Sequence, residues 1–391
     1  METKYIIGID ASNIRHGGGI THLSQLLEHA KPSLSSICKV IVWSNQNTLS
    51  KLPDKTWLVK STNRLLNGNF LQRTYWHIFK LRRDLTNLNC DILFVPGGSF
   101  RVKFKPVITM NQNLLPFETK EIRRFGFSLR ALKLFFLRFS QISSFNKSNG
   151  LIFLSQYSQD VVTKFINFKE LSCMRIPHGV EKRFFKKPRD QYSLEFFSTD
   201  NPLKIVYVSS IEFYKHQVNV VQAISKLKKL GYPVELHLYG LGKGKALKVL
   251  KQKISSLDPT NSYLKYNSEA DFNEIEKIYF NSDISVFASS CETFGQIIIE
   301  SMAAGLPIAC SKLSSMSEIL KDGAVYFDPL VSESIKDCLK MLIDSKEKRV
   351  EISNKAYEYA LNYSWEDTSN KTFRFLCEIK QKLELNENIN Y

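Results

Sequence analysis

Short apolar, β-rich runs recur along this chain, each followed by a stretch of helical composition. Nothing else in the sequence restricts the fold as strongly. Residues 5–10, 40–43, 57–60, 92–95, 107–110 and 151–154 read as strands, with helical stretches between them, notably 71–85. A second set begins at K-I-V-Y-V-S-S (204–210) and continues through 235–239, 263–266, 284–288 and 308–310, with V-Y-F-D-P (325–329) beyond. Strands alternating with helices imply parallel sheets covered on both faces, with ligands gathering at the carboxyl ends of the strands. Between the sets, residues 184–202 lose periodicity and gain Lys, Pro, Ser and Asp, the composition of a linker.

A chain of 391 residues, 43% hydrophobic and 24% charged, accommodates two globular domains of ordinary size. No window is long and apolar enough to span a membrane, and the start M-E-T-K-Y-I-I-G-I-D has no signal-peptide core. Seven cysteines without a C-x-x-C pair point to a reducing cytoplasm, without a zinc site or disulfide framework. The net charge of +16 raises nucleic acid as a partner. The cations are spread along the chain and no zinc-finger, helix-turn-helix or RNA-platform motif appears, so an anionic membrane surface or an acidic acceptor is expected instead.

The stretch S-S-C-E-T-F-G-Q-I-I-I-E-S-M-A-A-G (289–305) carries the chemistry. It reads as a strand end, a tight loop and a helix that stops at Gly305, with Pro307 beyond. Glu292 precedes the helix, and Glu300 lies on it, one turn after Gln296 and on the same face. Backbone amides around Phe294, Gly295 and Gln296 are first-turn donors, which favour a phosphate. A diphosphate at the helix start, with sugar hydroxyls near two carboxylates, describes a nucleotide-sugar site. The bland alternative is a surface helix with two solvated acids.

E-x7-E after this strand end, with F-G behind the first Glu and A-A-G-L-P after the second, resembles the donor site of family 4 glycosyltransferases. The resemblance implies the GT-B fold, two Rossmann-like domains facing across a cleft. It implies domains at 1–183 and 203–365 about a linker at 184–202, and a helix at 366–391 returning to the first domain. It gives Glu292 and the loop Thr293, Phe294, Gly295 and Gln296 to the donor sugar and diphosphate, and Glu300 to the ribose. Relatives carry an Arg five residues before the Lys that matches Lys215, both neutralising the leaving diphosphate. Here that position is Ser210, and His216, Lys243 or Lys245 could substitute. The turn holding Gly240 and Gly242 matches the family's G-x-G turn beside the nucleotide.

Gly17-Gly18-Gly19, between the first strand and a helix, lets a ligand approach the backbone. The residues alone leave a plain turn open; the resemblance places Gly18 and Gly19 at the donor. Asn111 and Gln112 stand where many relatives carry His-Asp; on the acceptor side they could bond a sugar or cap a loop. I-P-H-G-V-E (176–181) resembles the family's P-N-G-V segment, with His178 structural. Residues 117–147 are basic and aromatic, with Lys120, Arg123, Arg124, Arg130, Lys133, Arg138 and Lys147. They fit either an interfacial helix or a core helix with a solvated basic edge.

The expected function is retaining transfer of a hexose from a nucleoside diphosphate sugar to a glycan or lipid-linked glycan. The setting is bacterial surface polysaccharide or lipopolysaccharide synthesis, without metal or other cofactor and without nucleic acid. The expected location is the cytoplasm, with peripheral attachment to the inner membrane face. A nucleotide-sugar 2-epimerase of the same architecture and a non-catalytic sugar-nucleotide-binding paralogue are the alternatives.

Overall fold

The structure is a computed structural model that describes residues 4–32, 36–168, 171–268 and 274–389. Met1–Thr3, where the absence of a leader was read, lie outside the described residues. The chain divides into two compact units. The first comprises Met1–Glu118, Phe127–Gly179 and Ser364–Tyr391; the second comprises Thr119–Gly126 and Val180–Tyr363.

Among the described residues, the first unit has seven strands: β1 (Tyr5–Asp10), β2 (Ile37–Trp43), β3 (Leu58–Ser61), β4 (Ile92–Val95), β5 (Val107–Met110), β6 (Gly150–Phe153) and β7 (Ser172–Arg175). They form one parallel sheet in the order β3-β2-β1-β4-β5-β6-β7. β4, β5 and β6 are buried along their whole length, as expected of a sheet covered on both faces. The seventh strand was absent from the sequence reading. Its S-C-M-R run is half-buried at the sheet edge, so it needs no apolar run.

The helices on this part of the chain are α1 (Gly18–Glu28), α2 (Gln46–Leu49), α3 (Arg64–Asn67), α4 (Phe70–Phe79), α5 (Leu81–Asn87), α6 (Thr119–Arg123), α7 (Leu129–Lys147) and α8 (Gln156–Thr163). The stretch read as one helix over 71–85 is broken at Lys80. The break lets Trp76, Leu81 and Leu85 all enter one buried cluster with Trp43.

The second unit has β8 (Leu203–Val208), β9 (Val234–Tyr239), β10 (Leu264–Asn267), β11 (Ile284–Phe287), β12 (Ile308–Ser311) and β13 (Val325–Phe327). Their parallel order is β10-β9-β8-β11-β12-β13. Among the described residues its helices are α6 and, further along the chain, α9 (Gln217–Lys229), α10 (Gly244–Leu257), α11 (Ile275–Phe280), α12 (Gln296–Ala303), α13 (Met316–Leu320), α14 (Ser332–Asp344) and α15 (Lys346–Ala360). The segment read as a linker is fastened to this unit. Lys186 N–H donates to Ala303 O at 2.9 Å, and buried Arg349 donates through Nε to Gln191 Oε1 at 3.1 Å.

The last helix, α16 (Trp365–Ile389), belongs to the first unit. Thr368 Oγ1 donates to Pro177 O at 2.8 Å, Ser369 Oγ to Leu26 O at 2.8 Å, and Tyr5 OH to Glu384 Oε2 at 3.0 Å. In each sheet the strand order reverses once, between β1 and β4 and between β8 and β11. Such reversals leave a crevice at the carboxyl ends of the strands, where ligands of α/β folds bind.

Candidate functional site

At the second reversal, the turn after β8 meets the loop after β11. Tyr207 OH donates to Lys215 O at 2.6 Å, and Gln217 Nε2 donates to Ser209 Oγ and Ser210 O, both at 2.9 Å. Ser290 N–H donates to Tyr214 O at 2.8 Å, and the His216 ring shares a 2.8 Å hydrogen bond with Ser290 Oγ. The Ser314 hydroxyl accepts from Glu292 N–H and donates to Glu292 O, each at 2.7 Å. These bonds fix both loops from their backbones. On that frame Lys215 Nζ pairs with Glu292 Oε1, the two side chains being 7% and 15% exposed. The ammonium also lies 5.1 Å from the Phe287 ring centroid and 5.4 Å from that of Tyr214. A lysine head so enclosed is held in one position, where a long, solvated side chain would wander.

The glycine turns close the same crevice. Gly240 has φ 143°, and a Cβ on it would lie 2.0 Å from Ser209 O. Gly242 bridges Ile211, and its Cβ would lie 2.7 Å from the Ile211 Cβ. Gly295, at φ 84°, is the N-cap of α12 and has no side chain that could bond the first-turn amides. Phe294 is buried and meets Tyr363 edge-on at 5.4 Å, so its side chain is core and only its backbone faces the loop. Thr293 and Gln296 are half-buried. Lys215, Glu292, Ser210, Gly240, Gly242 and the loop 293–296 therefore come together at one reversal point. Of the proposed substitutes for a second cation, His216 is unsuited. Burial, and then the nearby Arg124 charge, push its pKa down to about 4. Lys243 and Lys245 are exposed.

Glu300 is set deeper. Burial raises its carboxyl to about 8, Glu181 adds to the rise, and Arg183 and the Tyr279 hydroxyl oppose it. Arg183 is itself held by Glu181 at 3.2 Å and Glu276 at 2.9 Å. Glu181, Arg183 and Tyr279 escaped the sequence reading as site residues. In sequence, the segment carrying the first two, I-P-H-G-V-E and on to Arg183, shows only its likeness to P-N-G-V.

In the first unit, Gly18 and Gly19 open α1 instead of lying in a loop, with Gly17 (φ 63°) as N-cap. A Cβ on Gly18 would meet nothing within 4 Å; one on Gly19 would lie 3.6 Å from Gln112 Oε1. Gln112 is half-buried, whereas Asn111 is buried and its Nδ2 donates to Asn113 O at 3.3 Å. Asn111 thus holds its own loop. Behind the glycines, His77 lies 3.1 Å from Asp10 Oδ2 and 2.8 Å from Ser12 Oγ, all three buried, which anchors the chain leaving β1. His178 lies 3.0 Å from His22, its ring tilted by 41° against that of Trp365; burial, and then His22, push its pKa well down.

Two parallel α/β units, with a lysine–glutamate pair and glycine turns at a strand-order reversal, define the GT-B class of fold. Residues 189–359, within the second unit, match the model of the family Glycosyl transferases group 1. The solved sucrose-phosphate synthase of Thermosynechococcus elongatus is similar at 12% identity, 95% of this chain, 98% of that one and TM-score 0.75. Anabaena HepE, solved with UDP and glucose, is similar at 16% identity, 97% and 99% coverage and TM-score 0.67. A lipopolysaccharide 1,2-N-acetylglucosaminetransferase of Salmonella typhimurium is 22% identical over 50% of this chain and 54% of its own length. The chain spans about half, or less, of the length of the first curated relatives it matches.

Proposed function

We propose that this chain transfers a sugar from a nucleoside diphosphate sugar, with retention at the anomeric carbon, to a glycan or lipid-linked glycan of a cell-surface polysaccharide. The observation that carries this reading is the enclosed Lys215–Glu292 pair beside the Gly240 and Gly295 turns. The bond from the anomeric carbon to the diphosphate oxygen breaks. An acceptor hydroxyl oxygen bonds to that carbon from the same face, and its proton passes to the departing diphosphate. Lys215 and the amides at Gly295 and Gln296 stabilise the charge that develops on the diphosphate. Glu292 orients the sugar, and Glu300 meets the ribose. In the first unit Gly18 and Gly19 admit a ligand to the backbone, while Gln112 offers its amide to an acceptor. Because lysine and helix supply the positive potential, chelation with EDTA is expected to leave turnover unchanged. The relatives' activities, a lipopolysaccharide N-acetylglucosaminetransferase and an O-antigen mannosyltransferase among them, support the choice of acceptor class.

The test begins with thermal shift of the protein against UDP-, GDP-, ADP- and dTDP-sugars. The donor that stabilises it is then incubated with lipid-linked and soluble glycans. Expected is acceptor-dependent release of nucleoside diphosphate, lost in Lys215→Gln and Glu292→Gln. Isomerised nucleotide sugar without acceptor would overturn transfer in favour of a 2-epimerase.

The same reading places the protein at an anionic membrane surface. No helix among the described residues is long and apolar enough to cross a membrane. On α7, however, Leu129, Leu132, Phe136 and Phe139 recur at helical spacing and all are exposed, with exposed Arg130 and Lys133 beside them. Leu134, Gln141, Ser144 and Phe145 bury the opposite face. An apolar stripe turned away from the core and flanked by cations is suited to the boundary between headgroups and acyl chains.

A further inference from the structure

The diphosphate of a nucleotide sugar carries more charge than Lys215 can neutralise, since Lys215 is already paired with Glu292. Ser210, where the family resemblance calls for an arginine, is exposed and brings only a hydroxyl. An arginine nevertheless adjoins a residue that packs on this turn. The segment Thr119–Gly126, far upstream in sequence, groups with the second unit. Its Phe125 ring meets Phe213 edge-on at 6.0 Å, and Phe213 opens the short turn that ends in Lys215. The neighbouring residue, Arg124, donates through Nε to Glu121 Oε2 at 2.7 Å. The Glu121 carboxylate is buried, whereas the Arg124 side chain remains 34% exposed. The charge of Arg124 is felt at His216, the residue after Lys215.

We infer that Arg124 supplies the second cation for the diphosphate of the donor, taking the place left by Ser210. The inference rests on the nucleotide-sugar reading above. Two features suit Arg124 to the task. Its Nε bond to a buried carboxylate fixes the guanidinium plane, so little freedom remains to be lost on binding. That bond engages Nε, and the edge formed by the two Nη groups matches a phosphate in two parallel hydrogen bonds. Lys243, which follows the Gly242 bridge to Ile211, is the rival; it is exposed and has no comparable anchor.

The experiment measures dissociation constants of UDP, GDP, ADP and dTDP for the full chain, and of the nucleoside matching the tightest binder. Arg124→Gln is expected to weaken the diphosphate between about tenfold and a hundredfold while leaving the nucleoside unchanged. Arg124→Lys should restore part of the loss. The double variant Arg124→Gln/Ser210→Arg should restore most of it, because it returns a guanidinium to the same crevice from the other side. Equal weakening of nucleoside and diphosphate, without rescue by Ser210→Arg, would make Arg124 a structural residue and overturn the inference. So would parental affinity in Arg124→Gln alongside a loss in Lys243→Gln. In both cases diphosphate binding by the parent leaves the proposed function standing. A parent that binds none of the four nucleotides would instead remove the function itself, and the inference with it.

Discussion

Glu300 turns the burial of one carboxyl into a measurable dependence on pH. Its folded-state pKa of about 8 stands above its ordinary 4.5, chiefly because burial disfavours the charged form. Between those values the folded protein holds a proton that the unfolded chain has released. Stability from this group is therefore fully present below about pH 4.5 and is lost as pH rises toward 8. A Glu300→Gln variant has no such titration. Its stability relative to the parent should rise from pH 5 to pH 8 by on the order of a few kcal/mol, read from the second unit's unfolding in urea. A constant difference across that range would place the carboxyl in contact with water. Glu292, Gly240 and Gly295 stand in local patterns, E-x7-E and the glycine turns, whereas Lys215 is singled out only by the family resemblance. Ser210 was legible as a departure. Arg124 was not, since nothing local connects it to a turn about ninety residues downstream; only the packing of Phe125 on Phe213 does.

Among the elements, α7 has apolar residues on two faces, and the fold buries only one of them. The sequence of α7 fits an interfacial helix and a core helix equally, because apolar residues occupy both of its faces. The fold buries Phe145 against Phe117, with centroids 6.1 Å apart, and leaves the Leu129–Leu132–Phe136–Phe139 stripe outside. Replacing Leu132, Phe136 and Phe139 together by Ser should change stability by only about 0.5 kcal/mol per site. The same variant should lose salt-sensitive sedimentation with phosphatidylglycerol vesicles. A parent that fails to sediment with such vesicles at low salt would remove the membrane from the proposed function. Elsewhere the periodicity of the strands was sufficient for all but β7, which packs too little apolar surface to leave a run. The helix over 71–85 was misread as continuous because no Gly or Pro marks Lys80; the demand for burial of Trp76 and Leu81 together bends the chain there.

At the scale of the whole molecule, both ends of the chain build the first unit. Ending the chain at Tyr363 would remove Trp365, Phe373, Phe375, Leu376 and Ile379, all buried in the α16 packing. At about 1.5–3 kcal/mol for each large apolar side chain, the loss is comparable to the whole stability of a domain. The truncated protein should therefore lose protease resistance over its first 179 residues while still showing a nucleotide-dependent thermal shift from the second unit. Parental resistance in the first unit would show that α16 is dispensable to its core. The ends of the long insert, where the chain leaves the first unit after Gly179 and re-enters it at Ser364, adjoin one another, since Val180 N–H donates to Tyr363 O at 3.3 Å. Codons 180–363 are consequently a cassette: a recombination event with breakpoints there would exchange one such module for another without inventing a joint. What such an exchange would leave behind is Thr119–Gly126, encoded outside the cassette, so an incoming module would inherit its second cation from the resident gene.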